Sequence, residues 1–451
     1  MKRFTIVILA ISMALFSNSA FAETANKNAE EPAKASVPQT KFYGFIRTYS
    51  AFDTRESVAG TQDLFYYLPK DKSLNSEGTD LNELNAFRFF AITTRMGVNI
   101  NGYQYGSAKI GGKIEADFYC MNGAVATLRL RQAYTSIEWD KLGKNGNASF
   151  LLNVGQTWHP LACDLANVVD LEVGTPFTAF NRSPQIMGNY SFNKNFTLTG
   201  GVIYQMQYQS TGPAGKSSNY MKYACTPEAY LGVALKTNDG LTAKAGVDIL
   251  SIKPRWTGTK VVNTKNVTVK MDDRITTATP FVMAQYVHKD FQVMAKTYYA
   301  SAGEHINFMG GYGVSKVNTD GSYEYTPTRS SISMISAQYG KEWQVMGMLG
   351  YVKMLGTAKE LYSENNNGLT GTGYYYFNSN GFSNMNAMWR FTPTIVRNFG
   401  KLSFAVEYDL TGVQYGDYKT AGFVPSKDGL VKDNLHWVYN HRILGMLKYS
   451  F

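Results

Sequence analysis

Residues 436–451 read His-Trp-Val-Tyr-Asn-His-Arg-Ile-Leu-Gly-Met-Leu-Lys-Tyr-Ser-Phe. Every second position from Trp437 gives Trp437, Tyr439, His441, Ile443, Gly445, Leu447, Tyr449 and Phe451, a mostly apolar and aromatic set. The alternate set contains Arg442 and Lys448. Side chains of an extended chain reverse at each residue, so the stretch predicts a strand with one greasy and one wetter face.

The same alternation recurs upstream. Strands are expected at Lys41–Asp53, Ala86–Asn101, Ser107–Cys120, Ala126–Asp140, Ala148–Trp158 and Arg182–Phe192. Others are expected at 195–209, 226–237, 241–253, 278–289, 291–302, 331–340, 342–355, 384–398 and 401–413, which with 436–451 makes sixteen. In the second, Phe90, Ile92, Thr94, Met96, Val98 and Ile100 share a face; in the seventh, Thr197, Thr199, Gln205 and Gln207 take the polar face. Alternation is weak at 331–355, where a subunit contact or a wrong register would each account for it.

Connections decide between sandwich and barrel. Long ones follow odd strands (54–85, 159–181, 210–225, 254–277, 303–330, 355–383 and 415–434), with a short link after the third as the exception. Short ones, such as Asn193-Lys194 and Gly340-Lys341, follow even strands. Transmembrane barrels pair long outer loops with tight periplasmic turns in this way. A sheet that crosses hydrocarbon must close on itself, because every backbone amide needs an internal partner. The fold class expected is therefore all-β: a transmembrane antiparallel barrel of sixteen strands, with the loop after the fifth folded inward as a constriction.

Composition fits. The chain has 451 residues, including 31 Tyr, 26 Phe and 41 Gly against 13 Pro, which favours strands. Lys2 and Arg3 precede an apolar run from Ile6 to Phe16, and Ala20-Phe21-Ala22 offers small residues for cleavage, so residues 1–22 read as a signal peptide. Residues 23–40 read as a flexible periplasmic tail and 41–451 as the barrel. No stretch approaches eighteen consecutive apolar residues, so no membrane helix is expected. The net charge of +10 lacks the arginine-rich run that reads as nucleic-acid binding. Cys120, Cys163 and Cys225 allow at most one disulfide, and which two would pair stays open.

Bases gather on the polar faces of the first strands: Arg47, Arg95, Lys109, Lys113, Arg129 and Arg131, with Arg442 and Lys448 at the end. The loop after the fifth strand carries Asp164, Asp170 and Glu172, with no base until Arg182. If it folds inward, its acids face a basic wall across a narrow waist, and crossing dipoles are aligned there. Ordinary lumen polarity, with Glu115, Asp117, Glu407 and Asp409 as ion-pair partners and Arg390 against the last two, explains the same charges. Phe42, Tyr43, Tyr190, Phe192, Phe196, Phe291, Phe399, Tyr449 and Phe451 cluster at expected periplasmic strand ends, as an interfacial girdle requires.

Leu128-Arg129-Leu130-Arg131-Gln132-Ala133-Tyr134, Val154-Gly155-Gln156-Thr157-Trp158 and Arg182-Ser183-Pro184-Gln185-Ile186 together resemble the DcaP-like trimeric porins and related general porins. The resemblance implies a homotrimer of sixteen-stranded barrels whose inward loop faces pore-lining arginines, here Arg129, Arg131 and Arg182. The C-terminal Phe451 is similar to the terminal residue that outer-membrane barrel assembly machinery reads. The tail has no heptads for a coiled coil, so trimerisation would run through the barrel wall.

Partners expected are therefore small hydrophilic solutes and ions, outer-membrane lipid and lipopolysaccharide, the assembly machinery and copies of the chain. No cofactor and no metal is expected. No nucleophile motif, zinc-protease motif or phosphate loop occurs, so an enzyme is not expected; His159 and Asp164 lack a nucleophile beside them. A surface adhesin built on the same barrel would use the long outer loops equally well. The aromatic run Gly373–Phe377 fits either a sugar platform or a loop tucked over the mouth.

Overall fold

The computed structural model describes residues 37–61, 63–122, 125–162, 164–170, 174–363, 374–377, 384–417 and 426–451. The expected signal segment, most of the tail, Cys163 and Glu172 lie outside the described residues. Sixteen wall strands form one antiparallel sheet. They are β1 (Gln39–Asp53), β2 (in two parts, Ala86–Phe90 and Arg95–Tyr105), β3 (Ala108–Asn122), β4 (Val125–Leu142), β5 (Ala148–Trp158) and β6 (Arg182–Ser191). There follow β7 (Phe196–Ile203), β8 (Glu228–Lys236), β9 (Leu241–Ile252), β10 (Ile275–His288) and β11 (Phe291–Ser301). The last five are β12 (Tyr323–Gly340), β13 (Trp343–Thr357), β14 (Met385–Phe399), β15 (Leu402–Asp417) and β16 (Asp433–Ser450).

Each strand pairs with its sequence neighbours, and β1 pairs with β16 from Phe45↔Ser450 to Asp53↔Arg442. Phe451 and Gly44 exchange both backbone hydrogen bonds beyond that ladder. The sheet is thus closed and exposes no wall edge, the condition for a β-structure in hydrocarbon. Apolar side chains face outward: Ile46, Leu128, Leu130, Val345, Ile395, Val406 and Ile443 are all exposed. The largest fully buried side chains include Arg47, Arg182, Arg390 and Arg442. Large charged side chains inside and an apolar outer surface depart from the order of a water-soluble protein and suit a lipid-facing wall.

Two expectations need correction. β2 is not one continuous strand. It breaks at Ala91–Thr94, where Thr93 takes φ 75°, a strained value for a β-branched residue. The break shifts the alternation, so Phe87 and Phe89, not Phe90, face outward with Met96. β7 ends at Ile203 rather than 209. Gln205 folds back onto Ser210 through two hydrogen bonds, and Gln207 Oε1 accepts from the Arg182 backbone and side chain. At 331–355 the buried faces of β12 and β13 carry Ile332, Met334, Met348, Val352 and Met354, which pack in one cluster with Leu161, Ala166, Val168, Phe177 and Phe180 and so blur the alternation.

Of the expected girdle residues, Phe42, Phe192, Phe196, Phe291, Phe399, Tyr449 and Phe451 are exposed at strand ends. Tyr43 instead turns inward and donates to Glu115 Oε2 at 2.8 Å. Tyr375–Phe377 pairs with Gly311–Val317, which places the aromatic run on a neighbouring loop; Gly373 lies outside the described residues. Among the described residues no helix is long and apolar enough to cross a membrane.

Candidate functional site: an arginine-lined pocket

The register of β2, β3 and β4 sets charges side by side. Asp117 on β3 stands opposite Arg95 on β2 and Arg129 on β4. Arg129 holds Asp117 through Nε at 2.7 Å and Nη2 at 3.3 Å, and Arg131 Nη1 holds the other carboxylate oxygen at 2.6 Å. Arg131 Nε also bonds Glu115 Oε1 at 2.7 Å, to which Gln132 adds a donor at 3.1 Å. Such bonds to an ionised acceptor are strong and fix the guanidinium planes.

Aromatic rings support the same bases from behind. Arg47 and Arg95 lie 4.7 and 4.9 Å from the Phe45 ring, and Arg129 lies 4.1 Å from Tyr119. Arg182 sits over Trp158 at 4.8 Å and Phe180 at 5.1 Å. A cation over a ring face gains electrostatic attraction and keeps its edge available. Arg47 Nε and Nη2 both donate to Thr93 Oγ1, so the strained residue at the β2 break also positions a base.

These side chains border one pocket, whose charged lining is Arg47, Arg95, Arg129, Arg131 and the single carboxylate Asp117. Arg182 stands just behind it, stacked on two of its aromatic walls. Lys113 lies over Tyr43 at 5.0 Å, outside the lining, and Lys109 pairs with the exposed Asp140.

Asp164 and Asp170 do not face this cluster. Asp164 pairs with Lys244 on β9 at 2.7 Å, and its carbonyl accepts from Lys296 on β11 at 3.0 Å. Asp170 lies 4.0 Å from Arg442 on β16, whose other carboxylate neighbour is Asp53 at 3.8 Å. Burial pushes the Asp170 carboxyl up to about 7; Arg442 and Arg390 pull against this, while Asp409 and Asp53 add to it. Arg390 is not paired with Glu407 or Asp409 by hydrogen bonds. Its donors go to Thr411 Oγ1, the Thr175 carbonyl and the Tyr67 carbonyl at 2.6–2.9 Å.

Residues 159–181 are tied to strands on several sides. Glu407 on β15 accepts the backbone N–H groups of Val169 at 2.6 Å and Asp170 at 2.9 Å. Tyr49 on β1 donates to the Val169 carbonyl at 2.9 Å, and Tyr298 on β11 to that of Leu161 at 2.9 Å. One cluster was not foreseen: His159, Glu228, Asp248 and His305 meet fully buried. The readable signal was Asp248, a carboxylate inside the apolar run Val247–Ile252.

Compared with solved structures, the chain is similar to the outer membrane channel DcaP of Acinetobacter baumannii, at TM-score 0.61 and 16% identity over 92% of this chain and 97% of that one. The chain has a DcaP-like, porin-type fold. In-vitro folded OmpT, an outer membrane protein of Vibrio cholerae, aligns at TM-score 0.52 and 13% identity over 94% of this chain and all of that one. Outer-membrane expressed OmpT of the same organism aligns at TM-score 0.50 and 15% identity, covering 93% of this chain and 100% of that one. No protein-family model matches the chain, and no curated protein matches it. At these identities the porin-type barrel is shared as a fold.

Proposed function

We propose that the protein is an outer-membrane channel that admits small hydrophilic solutes and ions by passive diffusion, with a mild anion preference and no catalysis. The observation that carries this reading is the pocket inside the barrel bordered by four arginines and one carboxylate. An anion entering there meets fixed donors already oriented by carboxylates and rings, whereas a cation meets mostly like charge. In this reading residues 159–181 fold inward and narrow the lumen. Their apolar side chains fill much of it, and Leu165 and Phe180 border the arginine pocket itself. Pore-lining roles go to Arg47, Arg95, Arg129 and Arg131, with Arg182 and Lys113 adding field and Asp164 and Asp170 shaping the opposite side; Glu172, outside the described residues, joins them on the sequence alone.

Export by the 1–22 signal, insertion beside lipopolysaccharide and assembly through Phe451 complete the reading. Association as a homotrimer through the wall is part of it. A groove beside the β1–β16 seam, between Phe89 and Phe404 and floored by Ser50 and Gly445, suits such a contact. Light scattering of the detergent-extracted protein should give three chains per particle; a monomer refutes that part.

The test of the channel is the reversal potential of the purified protein in planar bilayers under a salt gradient. Anion selectivity is expected, reduced in Arg129→Gln, whose head group is the more exposed of the two that hold Asp117. Cation selectivity of the wild type, or absence of conductance, overturns the proposal.

A further inference from the structure

Glu228 opens β8 and Asp248 sits on β9, both with side chains turned into the protein and essentially fully buried. His159 directly follows β5, and His305 lies in the turn Gly303–Ile306 after β11; both rings are fully buried. His159 Nε2 is 2.5 Å from Glu228 Oε1 and 3.7 Å from Asp248 Oδ1. His305 Nε2 is 3.0 Å from Asp248 Oδ2 and 3.7 Å from Glu228 Oε2. Among the described residues, the ion pairs of the two carboxylates run only to these histidines. Glu228 Oε2 and Asp248 Oδ1 have no hydrogen-bond partner.

The second ring nitrogens separate the roles of the two histidines. His159 Nδ1 lies 3.1 Å from the Leu161 N–H and accepts from it, so that nitrogen carries no proton. The His159 proton is therefore on Nε2, which donates to Glu228. His305 Nδ1 faces the Ala302 carbonyl at 3.2 Å, an acceptor only, so the proton is on Nδ1 and Nε2 is directed at both carboxylates. That is the tautomer in which a metal-binding histidine is held by a backbone carbonyl.

Charge points the same way. Two carboxylates brought into a dry site are costly unless positive charge meets them there. A divalent cation held by both carboxylates and by His305 Nε2 would supply it. Ligands about 2.0–2.2 Å from a tetrahedral ion stand roughly 3.3 Å apart. The His305 distances to Asp248 and Glu228 bracket that spacing.

We propose that His305 Nε2, Asp248 and Glu228 bind a divalent transition cation of the zinc type. His159 is a positioning residue that holds Glu228 from behind. The ligand atoms of His159, Glu228 and Asp248 lie within 4.8 Å of one another, and His305 Nε2 reaches both carboxylates from the other side. The ion ties the start of the 159–181 segment and the 303–306 turn to β8 and β9. The site stands whether or not the solute reading does, since its test reads metal rather than conductance.

The full chain, extracted in detergent and stripped with a chelator, is titrated with Zn2+ by calorimetry and with Co2+ by visible absorption. One ion per chain is expected, with the intense d–d bands of a low-coordinate Co2+ complex. His305→Ala and Asp248→Asn should each weaken Zn2+ binding at least about 100-fold. His159→Gln, which removes only an outer donor, should weaken it about 10-fold. Heat-modifiable migration on gels checks that each variant is a closed barrel. A folded wild type that takes up no stoichiometric Zn2+ overturns the proposal, as does unchanged affinity in folded Asp248→Asn.

Discussion

Glu407→Ala removes the carboxylate that accepts the N–H groups of Val169 and Asp170 at 2.6 and 2.9 Å, together with the hydroxyl of Thr394 at 2.7 Å. Hydrogen bonds to a charged acceptor contribute about 1.5–3 kcal/mol each, so two lost backbone bonds amount to roughly 3–6 kcal/mol of local anchoring. Asp409, two residues along the same buried face, loses a like-charged neighbour, which returns part of this and favours the low end. At about 3 kcal/mol the local opening equilibrium changes by roughly 150-fold. Hydrogen exchange of the Val169 and Asp170 amides in detergent micelles should quicken by that factor. Single-channel recordings should show a larger and noisier conductance. The bonds at Asp164 and Thr175 remain, so the barrel itself should keep its heat-modifiable gel shift. Glu407→Gln, with one acceptor retained, should fall between. Unchanged exchange at both amides would show that the carboxylate is not what holds the segment.

Asp170 supplies a pH dependence: its carboxyl gains a proton as pH falls through about 7, which adds one net positive charge to the lumen. Reversal potentials should therefore shift toward stronger anion preference between about pH 8 and 6, and Asp170→Asn should flatten that shift. A group whose pKa is higher folded than unfolded stabilises the fold at the acidic side of this window, so unfolding in denaturant should come later at about pH 6 than at about pH 8. Phe451→Ala should lower the yield of folded protein in the outer membrane several-fold while refolding in detergent stays near wild type; equal yields would remove any role for the terminal ring in assembly.

The wall was legible because its code is local. Period-two alternation places each strand, and the lengths of connections place its ends, so sixteen strands could be counted. The same code failed where side chains outside the strand decide. Thr93 breaks β2 beside Arg47, and Gln205 closes on Ser210, neither of which alternation encodes. On β12 and β13 the pattern blurs because the face opposite the lipid packs on apolar residues of 161–180. The arginine cluster was legible for the same local reason: β2, β3 and β4 are consecutive, so Arg95, Asp117 and Arg129 become neighbours through register alone. Partners of the loop acids were not, since Lys244 and Arg442 lie far along the chain from Asp164 and Asp170. Two histidines and two carboxylates drawn from four separate segments leave no spacing to read.

The ties of residues 159–181 reach β1, β9, β11, β14 and β15, on both sides of the ring. If residues 159–181 cross the lumen as proposed, the barrel cannot change its cross-section without loading that segment. On that reading aperture and barrel outline are one mechanical variable, which lateral pressure from a bilayer would tune.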